Sequence, residues 1–403
     1  MKNNWKKCKI GDVSGINQDV YSSHEDWKYV RYLDTGNITQ NKIENIQYIN
    51  LLVDKLPSRA KRKVKNGDII YSTVRPNQLH YGYIKNQPEN FLVSTGFAVI
   101  NIDKTKADSL YVYYVLTQSE NIEALQAIAE QSVSTYPSIK PSDIGNIEIN
   151  LPPLTTQRQI AKILSSLDDK IELNNRINKN LEEQAMAIYK SWFVDFEPFG
   201  GKMPKDWRKG IVDDIASDII CGKTPSTKNS EYYGTDIPFI TIPDMHNNVY
   251  VINTERSLSF MGANTQPQKN LPKNSVCISC IGTAGLVSLV AFDSQTNQQI
   301  NAIIPKDGYS PFYIFLVMKT LSKIINKLGS SGSTITNLNK EQFRKIEVVV
   351  PSLPVMKNFH LLVSAIFKII YSNQVENLKL TSMRDALLPK LMNGEVDVSK
   401  IKV

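Results

Sequence analysis

The sequence predicts a mixed α/β (α+β) protein: two globular domains separated by two long helices that form an antiparallel coiled coil, all within a pseudo-twofold internal repeat. Three observations lead to this prediction. The chain repeats itself at an interval of 199 residues, as in Ile147 and Ile346. Each copy ends in a long segment with apolar residues at helical spacing. The rest of each half consists of short apolar runs between turn signals. A chain of 403 residues also exceeds one ordinary core.

The repeat is strongest in the rear part of each half. The matched segments are Ser134-Thr135 with Ser333-Thr334, Ile147–Ile149 with Ile346–Val348, and Pro152–Leu154 with Pro351–Leu353. The front parts resemble each other more loosely, as in Lys65–Ile70 and Lys273–Val276. We therefore expect four segments: a variable domain at 1–152, a helical spacer at 153–200, a second variable domain at 201–352 and a second spacer at 353–403.

The front domains are predicted to combine strands with one helix each. Buried strands are indicated by the apolar runs Asp68–Ser72, Phe97–Ile100, Val276–Ile281 and Ile300–Ile304. Helices are indicated by the stretches Leu110–Ala129 and Phe312–Leu328.

The rear segments are predicted to be long helices with a coiled-coil seam. From Ile160 to Trp192, positions spaced alternately by four and three are almost all apolar, and Leu154–Trp192 contains no Gly or Pro. The second copy has the same pattern, and Pro389 should end or kink that helix near its close.

Asparagines interrupt the seam at its middle in both copies. Asn174 and Asn178 correspond to Asn373 and Asn377. A buried Asn needs a polar partner and so sets the register of a helix pair. Antiparallel pairing would place Asn174 opposite Asn377 and Asn178 opposite Asn373, but parallel pairing would also match them. Alternatively, each helix packs separately on its own globular domain.

Composition favours a polyanion partner and gives no sign of secretion. The 47 Lys and Arg against 39 Asp and Glu leave a net charge of +8, with a pI near 9.0. The start of the chain is polar, and no apolar run appears long enough to span a bilayer. The four scattered cysteines fit a reduced cytoplasmic protein. We therefore expect a cytoplasmic protein with no membrane partner.

Motifs for catalysis and metal binding are incomplete in this sequence. An Asn-Pro-Pro-aromatic tetrapeptide for adenine methylation is absent. Gly222-Lys223-Thr224 resembles the end of a phosphate-binding loop, but Ser217 stands where that motif requires Gly. Cys277 and Cys280 are a single pair and are expected to pack in the core. We therefore expect no catalytic residue, no metal site and no cofactor in this chain.

Polar and basic clusters favour DNA binding instead. Arg reads guanine and Asn or Gln reads adenine in the major groove, whereas Lys and Ser or Thr contact phosphates. The alternative for each residue is an ordinary solvated loop. The candidates in the first domain are Lys61, Arg62, Lys63, Arg75, Asn77 and Gln78. Those in the second domain are Lys223, Thr224, Ser226, Lys228, Gln298, Gln299 and Asn301.

Several motifs resemble those of the specificity (S) subunits, or HsdS family, of type I restriction-modification enzymes. They are Leu151–Leu154, Gln157–Ala161, Leu164–Ile171, Asn174-Asn175, Trp192–Phe196, Gly222–Ser226 with Tyr233-Gly234, and Leu387–Glu395. The resemblance covers essentially the whole chain. One departure is Pro351–Pro354, which lacks the Gln-x-x-Ile that follows Pro-Pro-Leu in the first copy, and this puts methylase contact at the second copy in doubt.

This resemblance implies a non-catalytic DNA-recognition subunit. Each target-recognition domain would read one half of a bipartite, asymmetric site in double-stranded DNA, and the helices would set the gap. Two methylase (M) subunits would dock on the repeat, and restriction (R) subunits would join through the complex. S-adenosylmethionine, ATP and Mg would then belong to these partner subunits. The alternatives are a stand-alone methyltransferase or nuclease, and a coiled-coil adaptor that binds only proteins.

Overall fold

The computed structural model describes residues 5–22, 24–132, 136–329 and 338–401. The repeated Ser134-Thr135 and Ser333-Thr334 lie outside these residues. The chain forms two compact units. The first unit comprises Met1–Asp169 with Leu380–Val403, and the second comprises Lys170–Lys379. Nothing in this division tests the four predicted segment boundaries, which stay a prediction.

Among the described residues, the first unit has twelve strands and three short helices before the first long helix. The strands are β1 (Lys6–Lys9), β2 (Ser14–Ile16), β3 (Tyr29–Leu33), β4 (Ile38–Thr39), β5 (Lys42–Ile43), β6 (Gln47–Asn50), β7 (Ala60–Lys63), β8 (Ile69–Ser72), β9 (Tyr81–Tyr83), β10 (Phe91–Ser94), β11 (Phe97–Ile102) and β12 (Glu148–Leu151). The helices are α1 (Ser109–Leu116), α2 (Ser119–Glu130) and α3 (Pro141–Gly145).

Two four-stranded sheets form the centre of this unit. Their strand orders are β6-β3-β10-β7 and β2-β11-β8-β9, and β10 runs parallel to β3. Leu33, Val93, Phe97 and Val99 belong to one buried cluster that joins the two sheets. The strands β1 and β12 pair antiparallel and bring the start of the domain to its end. The predicted strands at Asp68–Ser72 and Phe97–Ile100 therefore lie at the core.

The predicted helix Leu110–Ala129 is in fact two helices. Helix α1 ends at Leu116, and α2 starts at Ser119 after an extended Gln118. The Asn121 side chain donates to the Val115 carbonyl at 2.7 Å, so it occupies one of the last acceptors of α1. Side-chain bonds of this kind compete with helix continuation, and the apolar spacing alone did not reveal the break.

The first long helix is α4 (Leu154–Phe193), which starts in the first unit and ends in the second. Its buried positions include Ile160, Leu164, Ile171 and Ala185, and they follow the spacing of the predicted seam.

The described part of the second unit contains ten strands, five shorter helices and most of the second long helix. The strands are β13 (Arg208–Ile211), β14 (Ala216–Cys221), β15 (Tyr233–Ile240), β16 (Tyr250–Val251), β17 (Arg256–Leu258), β18 (Val276–Ser279), β19 (Val287–Val290), β20 (Gln295–Thr296), β21 (Ile300–Pro305) and β22 (Glu347–Val350). The helices are α5 (Val212–Ile215), α6 (Ile242–Met245), α7 (Phe260–Asn264), α8 (Pro311–Gly329), α9 (Lys340–Arg344) and α10 (Leu353–Met392).

The internal repeat extends to the topology of the front domains. The order β14-β21-β18-β19 corresponds to β2-β11-β8-β9, and β17-β15-β20 corresponds to β6-β3-β10. The corresponding strand pairs β3 with β10 and β15 with β20 are both parallel. The Tyr111 hydroxyl donates to the Asn150 carbonyl at 2.7 Å, and the Tyr313 hydroxyl donates to the Val349 carbonyl at 2.5 Å. The two domains thus share one fold although their front sequences match weakly.

The long helices run antiparallel in the second unit. In the second unit Phe193 contacts Phe359 with ring centroids 4.9 Å apart, and Asn178 lies beside Asn373. In the first unit Asp168 lies beside Arg384. Within the second unit, partner numbers fall along α10 as they rise along α4, which defines antiparallel packing. Pro389 lies inside α10, which ends soon after it at Met392. The predicted fold class is confirmed.

One helix is long and apolar enough to span a bilayer, although no such segment was expected from the sequence. By length and composition alone, helix α10 could cross a membrane. That expectation was wrong for this helix. One face of this helix packs in the protein, because Phe359, Val363, Phe367 and Ile370 are fully buried in the core of the second unit.

Candidate nucleic-acid interface

The basic cluster of the first domain lies on β7, an edge strand of its sheet. Lys61 is exposed. Arg62 is half-buried, and burial lowers the pKa of its guanidinium. Lys63 forms an ion pair with Glu25, and its ammonium lies 5.3 Å from the centre of the Trp27 ring. Lys63 is therefore engaged by Glu25 and Trp27 and Arg62 is half-buried, so Lys61 is the most exposed member of the cluster.

A strained turn presents the next three candidates. Arg75 and Leu79 have φ angles of 47° and 59°, and they flank a short 3-10 helix at Pro76–Gln78. Residues other than glycine rarely adopt this left-handed backbone conformation, so contacts with the surrounding structure must stabilise the turn. The Arg75 guanidinium lies 4.9 Å from the centre of the Tyr136 ring. Asn77 and Gln78 are exposed at the tip of the turn.

The second domain presents its basic loop directly after β14. Lys223, Ser226 and Lys228 are exposed, and Thr224 is half-buried. The chain continues as a loop after Thr224 and forms no α-helix before β15. A phosphate-binding loop needs a helix at this point, so the structure agrees with rejecting that motif.

The amide-rich run of the second domain divides between surface and core. Gln298 is exposed, and its Oε1 accepts a hydrogen bond from Thr224 Oγ1 at 2.8 Å. Gln299 is half-buried and accepts from Asn297 Nδ2 at 3.1 Å. The structure therefore joins the two clusters of this domain through Thr224 and Gln298.

The prediction that Asn301 contacts DNA conflicts with its position. Asn301 is only 2% exposed, because it lies within β21 in the domain core. Its Nδ2 donates to the Leu338 carbonyl at 3.4 Å and lies 3.3 Å from Cys280 Sγ. A side chain enclosed in this way cannot reach a base edge.

The four seam asparagines form one polar layer in the second unit. Asn174 Nδ2 donates to Asn377 Oδ1 at 2.9 Å, and Asn373 Nδ2 donates to Asn178 Oδ1 at 2.8 Å. These are the partners expected for antiparallel helices. Asn174 Nδ2 also donates to Glu376 at 2.7 Å, and this bond lowers the pKa of the Glu376 carboxyl. Glu376 escaped the sequence analysis because it lies beside the seam.

A second polar layer, in the first unit, was also missed. Arg384 donates to Asp168 at 2.7 Å, and the Tyr114 hydroxyl donates to the other oxygen of Asp168 at 2.6 Å. Burial acts to lower the pKa of Arg384, but the hydrogen bonds to Asp168 and Asp385 outweigh it and raise that pKa. At the repeat interval of 199, Phe367 and Ala185 replace Asp168 and Arg384. This break in the repeat was the available signal.

The described residues hold no group of three or more His, Cys, Asp or Glu arranged for a metal ion. Cys277 and Cys280 are buried, and burial raises the pKa of each thiol to about 12. Such thiols are protonated and unreactive near neutral pH. The predicted core-packing role of this pair therefore holds.

Comparison with known proteins decides the family. The model of the type I restriction modification DNA specificity domain matches residues 2–183 and again residues 204–378. The chain belongs to this family. A specificity subunit serves DNA recognition and has no catalytic role, so the sequence-based assignment is confirmed.

Relatives of this specificity subunit match over nearly their whole length. It is similar to the type I restriction enzyme HindI specificity subunit of Haemophilus influenzae, with 35% identity covering 97% of this chain and 99% of that one. The MjaIX specificity subunit of Methanocaldococcus jannaschii is 26% identical, over 98% of this chain and 94% of the relative. The crystal structure of the type I restriction-modification S subunit from M. genitalium has a TM-score of 0.56 at 18% identity and covers 96% of both chains, which supports the fold.

Proposed function

We propose that this specificity subunit reads a bipartite, asymmetric site in double-stranded DNA, one half with each front domain. The observation that carries the proposal is that the two front domains share one strand topology but expose different polar residues. The first domain presents Lys61, Asn77 and Gln78, whereas the second presents the Lys223–Lys228 loop with Gln298. Different side chains on one scaffold read different bases, because specificity depends on contacts with base edges.

The long helices are proposed to set the gap between the half-sites. Each is 40 residues long. A helix rises about 1.5 Å per residue, which gives a rod of roughly 60 Å. The paired asparagines at the middle of this rod support a single register. A fixed register would convert helix length into a fixed spacer in the DNA target.

The partners follow from the proposed role. Double-stranded DNA is the ligand, two methylase subunits dock on the repeated helical surfaces, and restriction subunits join through them. S-adenosylmethionine, ATP and Mg act in those subunits, and the complex works in the cytoplasm. The repeat supports two docking sites because equivalent surfaces bind equivalent partners.

A DNA-selection experiment tests the proposal. The purified complex of this chain with its methylase would select duplexes from a randomised library, and the methylase alone would be the control. We expect a split motif only with the complete complex. Substituting Lys223 and Lys228 by Gln should weaken binding and reduce its dependence on salt, since each lost phosphate contact lowers the slope by about 1.

Two rival functions predict other results. A stand-alone methyltransferase would bind the methyl donor without any partner, and a protein-only adaptor would leave the DNA affinity of the complex unchanged when it is removed. A spacer test adds a third discrimination. Deleting one heptad from α4 and one from α10 should shorten the gap and leave both half-sites unchanged. An unchanged gap would refute the role of the helices as a ruler.

A further inference from the structure

The end of β14 and the start of the loop that follows it are held at five consecutive residues, Cys221–Pro225. Backbone and side-chain partners come from four separate parts of the second domain. The bonds are Gly222 N–H to the Ile300 carbonyl (3.1 Å), Lys223 N–H to the Thr296 carbonyl (2.9 Å), Lys269 Nζ to the Cys221 carbonyl (2.8 Å), Thr224 Oγ1 to Gln298 Oε1 (2.8 Å) and the Tyr233 hydroxyl to the Pro225 carbonyl (3.0 Å). This base of the loop is therefore fixed from several sides.

Two buried glutamines complete the attachment. Gln266 Nε2 donates to the Lys223 carbonyl at 2.7 Å and to Gln295 Oε1 at 2.8 Å. Gln295 Nε2 in turn donates to the Ala263 carbonyl at 3.0 Å and to Asn270 Oδ1 at 2.6 Å. Gln266 is 2% exposed and Gln295 is fully buried. Buried amides must find partners, so this relay favours one loop position over all others.

Close packing removes the remaining freedom of the loop at Gly222. A Cβ atom at this position would lie 2.2 Å from the Asn297 carbonyl oxygen and 2.2 Å from Thr296 Oγ1. The loop backbone therefore rests directly on β20 and the turn that follows it. Only glycine permits this approach, because any larger residue would push the loop outward.

Exposed polar residues lie on this fixed base and on the part of the loop that follows it. Lys223, Ser226 and Lys228 are exposed, as is Gln298 beside Thr224. Holding such groups in place before binding reduces the entropy cost of recognition and keeps them aligned with one set of bases.

We propose that Gln266 and Gln295 are positioning residues for base reading by the second domain. Neither touches DNA, since both are buried. They act through the Lys223 carbonyl by fixing the loop that presents the reading side chains. The inference rests on the proposed function. It means that two residues without any contact with DNA help to determine which bases the second domain reads.

The test combines target mapping with a local measure of loop order. Gln266→Met and Gln295→Met remove the amides at similar volume. Gln268→Met is the matched control, because Gln268 is exposed in the same short segment. Single-molecule methylation mapping, in cells that carry each variant with the methylase, would give the target. Hydrogen exchange of the Gly222–Thr224 amides in the purified complex would report loop order.

For Gln266→Met and Gln295→Met we expect one half-site to become degenerate, while the other half-site and the spacer stay unchanged. Discrimination at the affected bases should fall about tenfold or more, which lies within the usual range for a single mismatched base pair. The loop amides should exchange faster. Gln268→Met should keep the parental motif and exchange rates. A change confined to one half-site distinguishes positioning from general unfolding, which would abolish methylation altogether.

An unchanged motif would overturn the inference, whether or not the loop amides exchange faster. If Gln266→Met unfolds the domain, Gly222→Ala offers a second perturbation, since it displaces the loop and leaves both glutamines intact. An unaltered half-site in that variant would also overturn the inference. If the parental chain itself produces no split motif, the proposed function fails. That result does not depend on the glutamine variants, so the two failures can be told apart.

Discussion

The ion pair between Asp168 and Arg384 should stabilise the first unit, and its loss should be measurable. Arg384→Met removes the charge but keeps an apolar stem in the seam. Asp168 would then remain beside Tyr114, with its side chain 30% exposed and without its cationic partner. A carboxylate left in that environment cannot recover full hydration, so the folded state loses free energy.

The expected cost follows from the partial burial of the pair. Breaking a fully buried pair costs about 3–5 kcal/mol, whereas an exposed pair contributes at most about 1 kcal/mol. The Arg384 side chain is 27% exposed, which places this pair between the two cases. We expect about 2 kcal/mol, equivalent to roughly a 30-fold rise in local opening. The double variant with Asp168→Asn should recover most of this loss, since no unpaired charge remains.

Hydrogen exchange in α1 is the appropriate assay, because a two-unit chain need not unfold in one step. Exchange of Tyr113 and Tyr114 amides should accelerate in Arg384→Met and return toward the parental rate in the double variant. Lys170→Met is the control, since the Lys170–Glu376 pair is much more exposed. Equal effects of Arg384→Met and Lys170→Met would refute the reasoning.

Three further predictions concern the second unit. Asn377→Leu should destabilise the helix pair by about 1 kcal/mol, because Asn174 loses one of its two acceptors and keeps only Glu376. Asn174→Leu in the same chain should restore part of the loss, as measured by hydrogen exchange in α4. Burial lowers the pKa of His360 below 6.5, so the folding stability that this residue contributes is present above pH 6.5 and is lost as the pH falls. The midpoint of thermal unfolding should therefore drop between pH 7 and pH 5, and His360→Gln should reduce that drop. Burial raises the pKa of the Cys277 and Cys280 thiols from 9.0 to about 12, so their contribution to folding stability is complete below pH 9 and is lost toward pH 12. The midpoint of thermal unfolding should fall across that range, and it should fall less steeply in Cys277→Ala.

Each of these predictions has a contrary result. Equal exchange in Asn377→Leu and the parental chain would mean that the asparagine layer adds nothing to the pairing. A pH profile unaltered by His360→Gln would assign the acid sensitivity to other groups. Rapid alkylation of Cys277 in the folded chain at pH 8 would contradict its burial and its raised pKa.

The long helices and the repeat could be predicted because their signals are regular along the chain. The interval of 199 residues relates Asn174 to Asn373 and Asn178 to Asn377. These matching asparagines at the middle of both seams were enough to suggest antiparallel packing of the two copies. Arg384 occupied an apolar seam position, so its partner Asp168 could have been sought there.

Contacts between distant segments explain what the sequence could not predict. Lys63 resembles an ordinary member of a basic cluster, but Glu25 and Trp27 engage it only after folding. Asn301 resembles Gln298 in sequence context, and only the sheet order reveals that β21 is central. Gln266 and Gln295 gave no local signal, because their role depends on a loop more than forty residues earlier in the chain.

Single-molecule methylation mapping tests the central claim most directly. DNA would be compared between cells that carry this chain with its methylase and cells that lack only this chain. We predict a split motif with a fixed gap in the first cells and its absence in the second. The same motif in both, or a continuous motif that depends on the chain, would contradict the conclusion that two domains each read half of the target.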